Sequence, residues 1–268
     1  MDARQVIIDE QPITYFTCGR GNPVMLVHGF AEDHRVWDRQ IVFLKEKYFL
    51  IIPDLPGSGQ SPMIKDMSME GMAGVLFLIV QNELKKSQSG TPVFTLIGHS
   101  MGGYITLAFA EKYSYMLSGF GLFHSSAFAD SEEKKIIRKK GIHFIQKNGA
   151  AAFLKSSTPN LFSPVTHEKN PQLIEEQIKA SGNFQADSLV VYYEAMMQRP
   201  DRTFTLKNAV VPVLFVIGEF DNAVPLADSL KQSHLPERSY INILKKSGHM
   251  GMTEQPQESN QILENFLQ

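Results

Sequence analysis

Short apolar runs, each closed by Gly, Pro, Asp, Ser or His, alternate along this chain with segments of helical period. The runs are PVMLVHG (23–29), YFLIIPD (48–54), VFTLIGH (93–99), GFGLFHS (119–125), PVLFVIGEFD (212–221) and YINILKKSGH (240–249). A strand with one face in water alternates apolar and polar residues, whereas a continuous apolar run needs cover on both faces, the condition of a parallel sheet. The stretches VWDRQIVFLKEK (36–47), EGMAGVLFLIVQNELKK (70–86), YITLAFAEKY (104–113) and PQESNQILENFL (256–267) have the period to supply that cover. The alternation predicts a doubly wound, mostly parallel α/β sheet.

The rhythm stops between Ser125 and Arg202, where no strand pattern occurs. In SLVVYYEAMM, Leu189, Val190, Tyr193, Met196 and Met197 follow an amphipathic helical stripe. An α-helical insertion over 125–202 is therefore expected to interrupt the sheet after its sixth parallel-type run. Residues 1–124 and 203–268 would then form a single core, which suits a chain of 268 residues. The mixed-sign run SEEKKIIRKK (131–140) reads as a solvated helix face rather than a basic patch.

Composition removes several function classes. Hydrophobic residues at 43% and charged residues at 20% are those of an ordinary globular chain. A net charge of −2 with interspersed signs gives no field to draw nucleic acid or an anionic membrane. Cys18 is the only cysteine, so no intrachain disulfide and no multi-cysteine metal site can form, and it is expected to pack near a strand end. The longest apolar segment, MAGVLFLIV (72–80), falls far short of the ~20 residues of a membrane span, and the N-terminus has no apolar stretch of signal-peptide length. A cytoplasmic protein, monomer or homodimer, acting on a small molecule is expected. No H-E-x-x-H, no carboxylate cluster at ligand spacing and no glycine-rich nucleotide motif is present, so neither metal nor cofactor is expected.

LIGHSMGGY (96–104) sets Ser100 between Gly98 and Gly102, after a strand pattern and before a helical one. A G-x-S-x-G pattern alone arises by chance in roughly one chain of this length in ten. The strand-to-helix context strengthens it: such a turn forces the middle residue into a strained conformation and lifts its side chain above the carboxyl ends of the strands. A serine hydroxyl is a poor nucleophile until a base takes its proton, and that base needs an acid to fix its tautomer. Asp221 follows one later apolar run and His249 the next, on the same rim. Glu219 is a rival acid, but it directly follows the apolar run and sits closer to the strand.

Together with LVHGFAEDHRVW (26–37), DLPGSGQS (54–61), GHSMGG (98–103), GEFDNAVP (218–225) and SGHM (247–250), this order resembles the α/β-hydrolase superfamily over nearly the whole chain. The resemblance implies a sheet of about eight strands with a helical cap, a catalytic triad of Ser100, Asp221 and His249, and an oxyanion hole made by the backbone N–H groups of Phe30 and Met101. Losing one such donor typically costs ~10² to 10³ in rate. His28 is expected to order its loop by hydrogen bonding, His99 to point away from the Ser100 hydroxyl, and Asp54 to order its loop. His124, Met197 and Met250 are expected at the substrate pocket.

A serine at the nucleophile position argues against epoxide hydrolases and haloalkane dehalogenases, in whose families aspartate is typical. The resemblance favours a carboxylesterase-like enzyme. Carbon–carbon bond hydrolases and cofactor-free haloperoxidases or perhydrolases remain alternatives, as does a triad-bearing ligand receptor with little turnover. Phe128, Phe144, Phe153, Phe162, Tyr192, Tyr193 and Met197 enrich the insertion in apolar side chains, most of them explained by helix packing, so an apolar substrate is a weak inference.

Overall fold

The computed structural model describes residues 1–84 and 93–268; Lys85 and Lys86, the end of the second expected helix, lie outside the described residues. Among the described residues eight strands form one sheet: β1 (Asp2–Ile8), β2 (Gln11–Gly19), β3 (Asn22–Val27), β4 (Tyr48–Pro53), β5 (Phe94–His99), β6 (Leu117–Phe123), β7 (Val213–Gly218) and β8 (Ser239–Leu244). Their spatial order is β1-β2-β4-β3-β5-β6-β7-β8. The pairings β1·β2 and β2·β4 are antiparallel, and every pairing from β4 to β8 is parallel.

The helices are α1 (Asp38–Leu44), α2 (Met69–Leu84), α3 (Met101–Tyr113), α4 (Glu132–Asn148), α5 (Ala150–Ser157), α6 (Pro164–Lys169), α7 (Gln172–Ser181), α8 (Ala186–Gln198), α9 (Thr203–Lys207), α10 (Leu226–Ser233), α11 (Gly251–Glu254) and α12 (Pro256–Leu267). Among the described residues none is long and apolar enough to cross a membrane.

The inner parallel strands divide their side chains between two cores, which is why their sequences are apolar without alternation, whereas β8, at the sheet edge, leaves Tyr240, Ile241 and Ile243 exposed. Met25 and Val27 of β3, Leu96 of β5 and Phe215 and Ile217 of β7 join Ile79 of α2 and Phe109 of α3 on one face. Val24 and Leu26, Ile97, and Leu214 and Val216 join Ile41 of α1 and Leu263 of α12 on the other. The six expected strands all form. Their motif ends, including Gly248 and His249, lie in loops beyond the sheet.

The helical segment enters after β6, the sixth strand in chain order but only the fourth parallel one, because β1 and β2 are antiparallel additions at one edge. The expected position after a sixth parallel run is therefore corrected. Cys18 sits half-buried near the end of β2 with a free thiol, and burial pushes its pKa up.

Candidate active site

β5 turns directly into α3 at Ser100, whose φ of 50° and ψ of −115° are costly for a residue with a Cβ. Its neighbours must be glycine for lack of space: a Cβ on Gly98 would lie 2.2 Å from the Gly102 carbonyl oxygen, and one on Gly102 would lie 2.5 Å from that of His28. Ser100 occupies the N-cap position of α3 but makes no side-chain capping bond. Its Oγ lies 2.8 Å from His249 Nε2 instead. The Ser125 hydroxyl, beyond the end of β6, donates to the Ser100 carbonyl at 2.7 Å and steadies the turn.

His249 Nδ1 lies 2.8 Å from Asp221 Oδ2. The other Asp221 oxygen accepts the backbone N–H groups of Ala223 and Val224, each at 2.8 Å. Burial by itself would raise the Asp221 carboxyl pKa. The His249 imidazole, hydrogen-bonded to it, and the nearby His124 ring outweigh burial and hold the group well below the usual carboxylate range. A carboxylate at Nδ1 fixes that nitrogen as donor, which leaves Nε2 to accept the Ser100 proton. Glu219, the rival acid, is exposed.

Three more histidines lie around this chain of bonds. His99 Nδ1 is 2.8 Å from Glu32 Oε2 and its Nε2 is 2.9 Å from the His249 carbonyl oxygen. Both partners are acceptors, so both ring nitrogens donate and the ring is an imidazolium. Burial opposes that charge, but Glu32 outweighs burial and raises the His99 pKa; Glu32, likewise buried, is held low by His99. His99 thus points away from the Ser100 hydroxyl and props the backbone of His249. His28 accepts the Leu55 N–H at Nε2 (3.0 Å) and meets the Gly29 carbonyl at Nδ1 (2.8 Å), tying two loops together. His124, at φ 51°, accepts the Gly251 N–H at Nε2 (3.2 Å). Its Nδ1 lies 3.3 Å from Asp221 Oδ2, without the geometry of a hydrogen bond. Asp54 accepts from His34 and from the Gln60 N–H, a loop-ordering arrangement.

The backbone N–H groups of Phe30 and Met101, the two expected oxyanion donors, engage no acceptor among the described residues. Met101 opens α3, so its N–H is one of the four a helix leaves free and sits at the positive end of the helix dipole.

Ser100 and His249 open into a cavity of about 240 Å³. Phe30, Ile137, Leu161, Tyr193, Met196 and Val224 make its apolar lining. Of the expected pocket residues none forms this wall. The buried face of α8 carries Leu189, Tyr192 and Met196, one residue out of register with the expected stripe, so Met196 faces the cavity and Met197 turns aside. Met250 is fully buried in the core beside Trp37, and His124 lies behind Asp221. Of Phe128, Phe144, Phe153, Phe162, Tyr192, Tyr193 and Met197, Tyr193 reaches the cavity, as does Met196 of the expected helical stripe.

Sequence reasoning also missed Tyr104, Lys134 and Arg138 on the cavity wall. Lys134 and Arg138 stand four apart on α4, so the run read as a solvated face turns two of its cations inward. A larger groove of about 680 Å³ runs past Asp33, His34 and Asp54 but does not include Ser100. Two ligand-type clusters that spacing along the chain did not suggest come together, His124–Asp221–His249 and Asp33–His34–Asp54. Both are occupied by the hydrogen bonds and ion pairs among their own members and with Arg35.

An eight-stranded, mostly parallel sheet with a serine, histidine and aspartate bonded in series above its carboxyl edge defines a class of hydrolase-fold proteins. The chain belongs to the alpha/beta hydrolase fold family, whose model matches residues 22–256. It is similar to a thermophilic esterase from Thermogutta terrifontis, solved with malate bound: 30% identity, TM-score 0.91, covering 99% of this chain and 98% of that one. It is 22% identical to 3-oxoadipate enol-lactonase 1 of Acinetobacter baylyi (91% of this chain, 88% of the relative). It is 27% identical to lipase 3 of Moraxella sp. (87% and 73%).

Proposed function

We propose that the protein is a serine hydrolase that cleaves the ester bond of a small substrate through an acyl-enzyme. The observation that carries this reading is the series of two 2.8 Å contacts, Ser100 Oγ to His249 Nε2 and His249 Nδ1 to Asp221 Oδ2, beside two unengaged backbone N–H groups. The Ser100 proton passes to His249 Nε2 as Oγ attacks the carbonyl carbon. Phe30 and Met101 donate to the oxyanion. His249 returns the proton to the departing alkoxide, leaving the acyl group on Oγ. Water then gives a proton to His249, attacks the acyl carbon, and the acid leaves as Ser100 regains its proton. Asp221 stays ionised throughout and stabilises the imidazolium.

The esterase, lipase and lactonase names among its relatives support ester chemistry. The cavity of about 240 Å³ favours a short substrate with an apolar body. A fluorophosphonate should label the wild type and not Ser100→Ala, and 4-nitrophenyl esters should turn over repeatedly, fastest at short acyl length. Labelling that survives the substitution defeats the nucleophile assignment. Inert esters beside a cleaved ring-cleavage dienone would move the reaction to carbon–carbon bonds, and a single turnover would favour a receptor.

A further inference from the structure

The cavity wall built by α4 and the first turns of α3 carries an unbalanced charge. Asp130, its side chain fully buried, accepts Arg138 Nε at 2.5 Å, Arg199 Nη1 at 2.8 Å and Arg138 Nη2 at 3.3 Å. Arg199 also donates to the Met196 and Phe128 carbonyls, at 2.7 and 2.9 Å. Lys134, one turn before Arg138, finds among the described residues only the neutral Ala223 carbonyl for its ammonium, at 2.9 Å. One carboxylate therefore faces three cations. The other acids of the site are committed elsewhere, Glu32 to His99 and Asp221 to His249.

Tyr104 stands in the middle of this wall. It is 3% exposed and lines the cavity, and the Arg199 guanidinium lies 3.7 Å from its ring centre. Its hydroxyl makes no hydrogen bond among the described residues and is not one of the fully buried unpaired polar atoms, so it keeps access to the cavity and is free to meet a ligand. Burial raises the phenol pKa, yet Arg199, Lys134 and Arg138 together bring it below its ordinary value.

Resting on the ester-hydrolase reading, we propose that the substrate carries a free carboxylate besides its scissile ester, held by Lys134, Arg138 and Tyr104. A carboxylate offers several acceptor sites, enough for an ammonium, a guanidinium and a phenol at once, and its charge offsets the surplus on the wall. The apolar lining then takes the short chain between the two ends.

The test uses Ser100→Ala protein, so that binding is read without turnover. Two matched pairs are titrated calorimetrically: monomethyl against dimethyl glutarate, with the carboxylate on the acyl side, and 4-acetoxybutyrate against its methyl ester, with it on the alcohol side. In at least one pair the anion should bind about tenfold more tightly. The preference should weaken with added salt, and should largely vanish when Lys134→Met or Lys134→Gln is added and reverse with Lys134→Glu. Equal affinities in both pairs, or a preference indifferent to all three substitutions, overturn the proposal. If the neutral esters are hydrolysed briskly while the affinities are equal, the carboxylate fails and the esterase stands. If Ser100 takes no fluorophosphonate label while the anion preference holds, the reverse is true.

Discussion

His99 and His249 lie with ring centres 5.0 Å apart and play different parts because their partners differ. His249 has an acid on one side and a hydroxyl on the other, so it can accept a proton; His99 has acceptors on both sides and is already charged. That charge is tolerable in the interior only with Glu32 beside it. Glu32→Gln is expected to cost on the order of 3 kcal/mol near neutral pH.

The pH dependence of that loss follows from the shifts. His99, raised, contributes stability that is full below the ordinary histidine value and lost as pH climbs through its folded pKa. Glu32, lowered, contributes stability present above the ordinary glutamate value and lost as pH falls through its folded pKa. Urea unfolding of wild type and variant across pH 3 to 10 should therefore show the largest gap between about 4.3 and 6.5, narrowing on both sides. A gap constant with pH would show that the pair is not ionised. For the proposed chemistry, Ser100→Ala should lower kcat on 4-nitrophenyl acetate by about 10⁴ or more and Asp221→Asn by about 10³ to 10⁴, while exposed Glu219→Gln should stay within about twofold.

At the scale of elements, the turn from β5 to α3 concentrates the constraint. A methyl group on Gly98 meets a backbone carbonyl that cannot swing aside, whereas one on Gly74, within α2, meets nothing within 4 Å. Gly98→Ala should cost about 2 to 4 kcal/mol and abolish labelling of Ser100, while Gly74→Ala should be neutral or stabilise by up to about 1 kcal/mol, both read by chemical denaturation. The same contrast explains what the sequence could reveal. Parallel strands covered on both faces leave unbroken apolar runs, and the glycines around Ser100 mark a turn with no room for side chains. β1, an edge strand largely exposed along DARQVII, leaves no such run, and of its partner β2 the sequence marks only a strand end near Cys18. Nor does a stripe of lysines and arginines reveal whether it faces water or a cavity, which is decided by where α4 packs. On α8 a shift of one residue, invisible to an apolar pattern that includes both methionines, exchanges Met197 for Met196.

At the scale of the molecule, the helices between β6 and β7 leave the sheet and return at almost one point. The Arg202 N–H donates to the Ala127 carbonyl at 2.7 Å, and Arg199 reaches back to Asp130 and to the Phe128 carbonyl. Gln232 of α10 clasps the outgoing segment beyond β6, accepting the Ala127 N–H at 2.6 Å and donating to the Ser125 carbonyl at 3.2 Å. Asp130 thus belongs both to this neck and, through Arg138, to the cavity wall, so that the hold on the helical segment and the charge of the pocket share one carboxylate. Removing its charge leaves two largely buried guanidinium groups uncompensated, a loss on the order of 3 to 5 kcal/mol. Asp130→Asn should therefore melt at least about 6 °C lower, with cleavage by a limiting protease beginning within residues 125–202 before the sheet is attacked. Arg138→Met keeps the Arg199–Asp130 pair and should cost clearly less. If Asp130→Asn melts with the wild type, the neck is held by its backbone and Gln232 bonds alone; if it melts early but is cut first in the sheet, the helical segment is not the part that Asp130 secures.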